Sequence, residues 1–156
     1  KVPVLVDGGL KLWESNAIMQ YLADTKPSAF FPQDPKARAN VVRWQFWEAN
    51  HLSVGTGGLT FEKVFKPFVL KMETDEVAVE RATKTFHQFA PVLNGQLEGK
   101  SFITGDTLTV ADFSVAACFS YAAPAGIPLE NYTHIRTWLD RLDAVPAWKN
   151  TAPKLG

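Results

Sequence analysis

The chain has 156 residues, 46% of them hydrophobic, and sixteen basic side chains balance sixteen acidic ones for a formal charge of zero. That composition supports a sizeable core and excludes a disordered chain, while the balanced charge excludes a binder held to nucleic acid or an anionic membrane by electrostatics alone. A single cysteine, Cys118, cannot close an intrachain disulfide, and no stretch reaches the roughly 18 apolar residues of a membrane span. The sequence therefore reads as a soluble protein suited to a reducing cytoplasm, with no metal site expected.

Val2 to Val6 is a short β-branched run, Asp7-Gly8-Gly9 tolerates the backbone of a tight turn, and Leu10-Lys11-Leu12 alternates. Together they predict a β-hairpin. Trp13 to Leu22 carries apolar residues close to helical spacing and ends before Lys26-Pro27, predicting one short helix. From Thr25 to Pro35 prolines dominate, and Phe30 and Phe31 are expected to pin this linker onto a neighbour.

Beyond the linker every element reads as helical. Asp34 as N-cap and Pro35 at the first helical position open a helix expected to run to about Leu52, where Gly55, Gly57 and Gly58 interrupt or bend it. Val79, Ala82, Phe86, Phe89 and Leu93 follow the spacing of an amphipathic helix in which Pro91 must kink the axis or end its regular bonding. A helix apolar nearly all round starts at Thr109 and is expected to continue through Phe119 and Tyr121 to Pro124. Thr109 and Asp112 have the spacing of a variant capping box. Ile135, Trp138, Leu139 and Leu142 mark a last amphipathic helix stopped by Pro146.

Two constellations suggest chemistry. Pro3 in a strand lacks a ladder donor and marks an edge, a bulge or a cis bond; if cis, Val2 can offer its backbone to a peptide-like ligand, and otherwise Pro3 only starts the strand. Glu14-Ser15 lies where a helix begins. Ser15 is there either a simple cap or, with the free N–H groups of the first turn, a receptor for a carboxylate, with Glu14 balancing an ammonium on the same ligand end. A γ-linked glutamyl group presents that pair of charges.

The run from Lys1 to Leu22, Lys-Val-Pro-Val-Leu-Val-Asp-Gly-Gly-Leu-Lys-Leu-Trp-Glu-Ser-Asn-Ala-Ile-Met-Gln-Tyr-Leu, resembles the second half of the thioredoxin-like domain of cytosolic glutathione transferases. Gly105 to Asp112 resembles the family's capping motif before its buried central helix, and Tyr132 to Trp138 with Pro146-Ala147 is similar to its usual last segment. Trp44 to Leu52 and Phe61 to Pro67 look most like bacterial members. The resemblance implies a mainly α fold: a C-terminal all-helical bundle over residues 35–156, a linker over 27–34, and the hairpin and one helix of a partial thioredoxin-like α/β domain over 1–26. It implies glutathione as co-substrate, conjugated through its thiolate to a hydrophobic electrophile in a detoxification reaction, and a homodimer. Val2 and Pro3 would hold the cysteinyl part, Glu14 and Ser15 the γ-glutamyl end, and Thr109 and Asp112 a structural box.

The family's thiol-activating Tyr, Ser or Cys belongs to a first strand–helix–strand unit expected upstream of Lys1, very roughly 40 to 50 residues long. Without it the chain is expected to bind glutathione and not to activate it, and the sequence is read as beginning part-way through a longer polypeptide, with a short non-catalytic relative as the other explanation. Tyr21, Tyr121, Tyr132 and Cys118 are not expected to substitute for the missing group, and Cys118 is read as buried and inert. His51 falls where the family lines its electrophile pocket, and a capping or packing histidine fits equally. Phe61, Phe65 and Phe68 are either core or the apolar wall of that pocket. Lys1 is a candidate partner for the glycyl carboxylate. Besides a transferase, an interaction module without turnover and a glutathione-dependent reductase or isomerase remain open.

Overall fold

The computed structural model describes residues 2–26 and 28–153. Lys1 as a carboxylate partner, Pro27 of the linker and the last three residues of the helical segment lie outside the described residues. Strands β1 (Val4–Asp7) and β2 (Leu10–Trp13) form the antiparallel hairpin, with Val4 opposite Trp13 and Asp7 opposite Leu10. Gly8 takes the turn at φ 55°, a region that glycine enters without a Cβ clash. Leu5 and Leu12 are half-buried against helix α1 (Ser15–Thr25), whereas Val4, Val6 and Trp13 leave an exposed apolar face.

The linker is anchored by both of its aromatic residues. Phe31 is buried with the Arg38 guanidinium stacked 4.3 Å from its ring centre, and Arg38 also pairs with Asp24 of α1 at 2.9 Å. Phe30 packs edge-on against Phe113, and its carbonyl accepts the Val110 N–H at 2.9 Å. Helix α2 (Pro35–Trp47) then opens as its sequence requires, the Asp34 carboxylate accepting the Ala37 N–H at 2.8 Å and Pro35 filling the first turn.

Of the two outcomes expected at the glycines, a bend or an interruption, the interruption does not occur. After α2 the backbone stays right-handed helical through a π segment (Glu48–Leu52), α3 (Ser53–Thr60) and a second π segment (Phe61–Leu70), so residues 35–70 form one rod. The glycines serve a close approach: a Cβ on Gly55 would lie 2.6 Å from the Phe86 backbone nitrogen, and one on Gly58 would lie 2.8 Å from the Ala82 Cβ. Glycine here lets helix α4 (Glu76–Gln96) pack backbone to backbone against α3. The rod ends at Lys71, whose φ of 55° turns the chain back. Buried Glu62 holds that return through Lys66 at 2.7 Å and the Asp75 N–H at 2.9 Å, and Lys66, followed by the Asp75 N–H, holds its carboxyl below the usual range.

Helix α4 passes through Pro91 and ends at Gln96, short of Gly99 at φ 69°. Helix α5 (Val110–Ala117) stops earlier than its apolar run predicts. Cys118, Phe119 and Ser120 donate three residues back, tightening the chain into a turn before the short α6 (Ala122–Ala125). Helices α7 (Thr133–Asp143) and α8 (Pro146–Asn150) complete the bundle. Its centre is built by Leu52 and Leu59 of the rod, Phe86 and Leu93 of α4, and Ile135, Trp138 and Leu142 of α7, all 1% exposed or less.

Thr109 and Asp112 form the reciprocal capping box at the head of α5. Asp112 does more than cap, since its carboxylate accepts the Thr109 N–H at 2.9 Å, the Ile103 N–H at 2.8 Å and the Trp138 indole N–H at 3.0 Å. It therefore joins α5 to the preceding loop and to α7. Burial nonetheless raises its pKa, outweighing the bonds that favour the charged form.

Candidate functional site

The hairpin register brings the two sequence motifs to one end. Val4 pairs with Trp13, so Pro3 and Glu14, each one residue beyond that pair, both lie at the open end of the hairpin, and the Val2–Pro3 bond is cis. Glu14 occupies the N-cap position of α1 at φ 71°, a left-handed conformation uncommon outside glycine, asparagine and aspartate. Its side chain makes no cap bond. Ser15 is the first helical residue, not the cap, and the first intrahelical bond is Ile18 N–H to the Glu14 carbonyl at 3.0 Å. The N–H groups of Ser15, Asn16 and Ala17 thus converge on one point without intrahelical acceptors, at the positive end of the helix dipole. Free first-turn N–H groups of this kind can hold an anion, and Glu14 is the residue next to them in the chain.

A cleft of 320 Å³ opens next to Glu14, between α1 and the rod, bordered by Asn16, Gln20, Val42, Gln45 and Phe46. Its polar lining is an ordered network. Gln20 donates to the Gln45 side-chain oxygen at 2.6 Å, and Gln45, itself 2% exposed, donates to the Asn16 oxygen at 3.3 Å. Asn16 reaches the Gln45 carbonyl at 3.4 Å and the Glu48 carboxylate at 3.5 Å. The same carboxylate accepts from Ser114 and from the Cys118 thiol of the α5 end, each at 3.1 Å. The helix that carries Ser15 is in this way tied through Glu48 to the core helix α5. Asn16, Gln20, Gln45 and Glu48 were not expected from the sequence; the available signal was a pair of polar residues, Gln45 and Glu48, on a rod face that is otherwise apolar.

The remaining candidates lie elsewhere. Cys118 is pushed up by burial first and by the Glu48 carboxylate second, which leaves the thiol protonated. The Tyr21 hydroxyl donates to Asp7 at 2.8 Å, an interaction that raises its pKa, and Tyr132 is paired with His87 at 2.8 Å. His51 stacks on Phe89 of α4 at 4.9 Å between ring centres, a contact with the bundle. Phe61, Phe65 and Phe68 are 46%, 39% and 63% exposed, which rules out the core-packing reading, and Phe65 meets Tyr121 edge-on at 5.8 Å. Among the described residues no cluster of His, Cys, Asp or Glu could hold a metal ion, and no helix is long and apolar enough to cross a membrane.

Comparison with known proteins places this arrangement. Residues 1–24 match the model of the glutathione S-transferase N-terminal domain, and residues 76–141 match that of the glutathione S-transferase C-terminal domain. A glutathione S-transferase of Hyoscyamus muticus is 33% identical over 153 residues, covering 95% of this chain and 72% of the relative. The crystal structure of the theta class glutathione S-transferase of Xanthomonas axonopodis pv. citri with glutathione bound superposes with a TM-score of 0.85 at 28% identity, covering 99% of this chain and 73% of that one. A glutathione S-transferase of Pseudomonas fluorescens gives a TM-score of 0.83 at 28% identity, over 94% of this chain and 71% of its own. With its mainly helical bundle, its partial thioredoxin-like domain and both domain models matched, the chain belongs to the glutathione S-transferase family.

Proposed function

We propose that the chain binds glutathione at the start of α1 and takes part in conjugating its thiolate to a hydrophobic electrophile. The observation that carries this reading is the uncapped N-terminus at Ser15, with three convergent N–H groups, a hydroxyl and the Glu14 carboxylate held at positive φ beside them. In the proposed assignment the glutamyl carboxylate sits on the Ser15 hydroxyl and first-turn amides, Glu14 meets the ammonium, and the backbone of Val2, ahead of Pro3, meets the cysteinyl part. Phe61 and Phe65, exposed on the rod, offer the apolar wall for the electrophile; His51, stacked on Phe89, is left a packing role.

The thiol needs a hydrogen-bond donor to become a nucleophile at neutral pH. Tyr21, Tyr132 and Cys118 are each engaged with another side chain, which favours, for these residues by themselves, glutathione binding without turnover. In the family arrangement the activating group comes from a strand–helix–strand unit, for which the exposed face of Val4, Val6 and Trp13 is the natural seat. Phe46 and Val54, 65% and 57% exposed on the rod, suit a homodimer contact. A cytoplasmic, detoxifying role follows from the same reading.

Titration calorimetry with glutathione tests the proposal. Ser15→Ala should weaken binding by about 1.5 to 3 kcal/mol, the range for a hydrogen bond to a charged group. An unchanged dissociation constant removes Ser15 from the site, and absence of binding by the parent chain removes the reading. Assays with a reactive aryl halide and with a disulfide, on a form that carries the activating strand–helix–strand unit, then separate a transferase from a reductase.

A further inference from the structure

A second cavity, of 350 Å³, lies where the α5–α6 turn meets α7 and α8. It shares no lining residue with the cleft at Glu14. Its floor is apolar, made by buried Ala116 and Phe119 with half-buried Leu139. Trp148 forms a wall, its ring supported by Phe113 stacked at 6.1 Å, and Ser120 and Asp143 supply polar groups at the opening. Asp143 lines the cavity, and it is in neither of the ion pairs found among the described residues, Arg38 with Asp24 and Lys66 with Glu62. The volume is in the range that holds a small organic molecule, and such sites combine an apolar lining with a few polar groups that fix orientation.

We infer that this cavity is a binding site for a small hydrophobic ammonium compound, independent of glutathione. Three observations converge on that chemistry. The apolar floor selects a hydrocarbon or aryl body, since burying it there removes apolar surface from water. An indole wall is the aromatic surface that attracts a cation most strongly. The carboxylate at the opening is complementary to an ammonium and repels a carboxylate, so charge discriminates among ligands of one shape.

The test uses the whole chain and three probes of nearly equal shape, 2-phenylethylammonium, neutral 2-phenylethanol and anionic phenylacetate, followed by the indole N–H resonances in two-dimensional nitrogen–proton spectra. The chain has five tryptophans, so the wall residue is assigned from the signal lost in Trp148→Phe. The expected result is a saturable shift of the Trp148 signal by the ammonium probe, weaker by about 1.5-fold to fivefold in Asp143→Asn, as for an exposed charge pair. The phenylacetate probe should bind more weakly than the alcohol, and Ser15→Ala should leave all three titrations unchanged. Equal binding of the three probes, a shift centred on another tryptophan, or an Asp143→Asn variant that binds like the parent overturns the inference. The ranking of the three probes is read on the parent protein alone, so it decides the matter even where a variant fails to fold.

Discussion

Replacing Glu48 tests whether one carboxylate couples the Ser15 helix to the core of the bundle. In Glu48→Ala the Ser114 hydroxyl, on a residue 5% exposed, loses a charged acceptor at 3.1 Å, and the Cys118 thiol loses its acceptor at the same distance. A hydrogen bond to a charged group is worth about 1.5 to 3 kcal/mol, the thiol adds little as a weak donor, and the Asn16 contact at 3.5 Å is at the limit of bonding. The expected destabilisation is therefore about 2 to 3 kcal/mol in urea unfolding. Glu48→Gln keeps an acceptor and should cost about 1 kcal/mol. The alanine variant frees Asn16 from its outer partner, so glutathione binding should weaken in it even though neither side chain is proposed to touch the γ-glutamyl group. Removing the charge also lifts the second cause of the raised Cys118 pKa, but burial, the first cause, remains, so the thiol should stay slow toward an aromatic disulfide reagent. An alanine variant within 0.5 kcal/mol of the parent on the urea scale, with unchanged glutathione affinity, would refute the coupling.

Three other changes probe the frame around the site. Gly55→Ala places a Cβ 2.6 Å from the Phe86 nitrogen, so the rod and α4 must move apart; a loss of about 1 to 3 kcal/mol or more and a lower melting temperature are expected, and a neutral result would mean the packing is looser than described. Glu62→Gln tests a pH dependence: the folded carboxyl titrates below its ordinary value, so its stabilisation is present above the unfolded pKa, near 4.3, and is lost as pH falls through the folded value. The variant should thus be less stable than the parent at neutral pH, with the gap closing in acid, and a gap constant with pH would contradict the Lys66 pairing. Asp112→Asn turns a group surrounded by donors into one that is half donor; facing the Thr109 N–H with an amide N–H should cost about 1 to 3 kcal/mol in urea unfolding, while circular dichroism retains the helices.

Local chemistry made much of the fold legible. The hairpin follows from Asp7-Gly8-Gly9 between alternating runs, the start of α2 from Asp34-Pro35, and the head of α5 from Thr109 and Asp112, because each of these signals acts within three or four residues of itself. The errors arose where the deciding partner is remote. Glycines 55 and 58 look like breakers because their helix cost is local, whereas what offsets it, the close approach of Ala82 and Phe86, lies more than twenty residues away. The early end of α5 is invisible for a related reason: an apolar run shows that a segment is buried, not that its backbone keeps one helical period.

The candidate site divides along the same line. Ser15 and Glu14 could be picked out because helix starts have a chemical signature, but the backbone of Glu14 could not, since nothing in a glutamate announces φ 71°. Holding that conformation requires support from both sides, and the structure supplies it twice: the Val4–Trp13 pair fixes the strand that leads in, and Asn16 with Gln20 clamps the helix that leads out onto Gln45. The cost of an unusual backbone at one residue is of order 1 to 3 kcal/mol, which a hydrogen-bonded clamp of three amides can offset at about 1 kcal/mol per bond. The side chains of Asn16, Gln20 and Gln45 therefore act in the proposed receptor as positioning groups: they set where its N–H groups point, and loosening them should degrade binding without removing a single ligand contact.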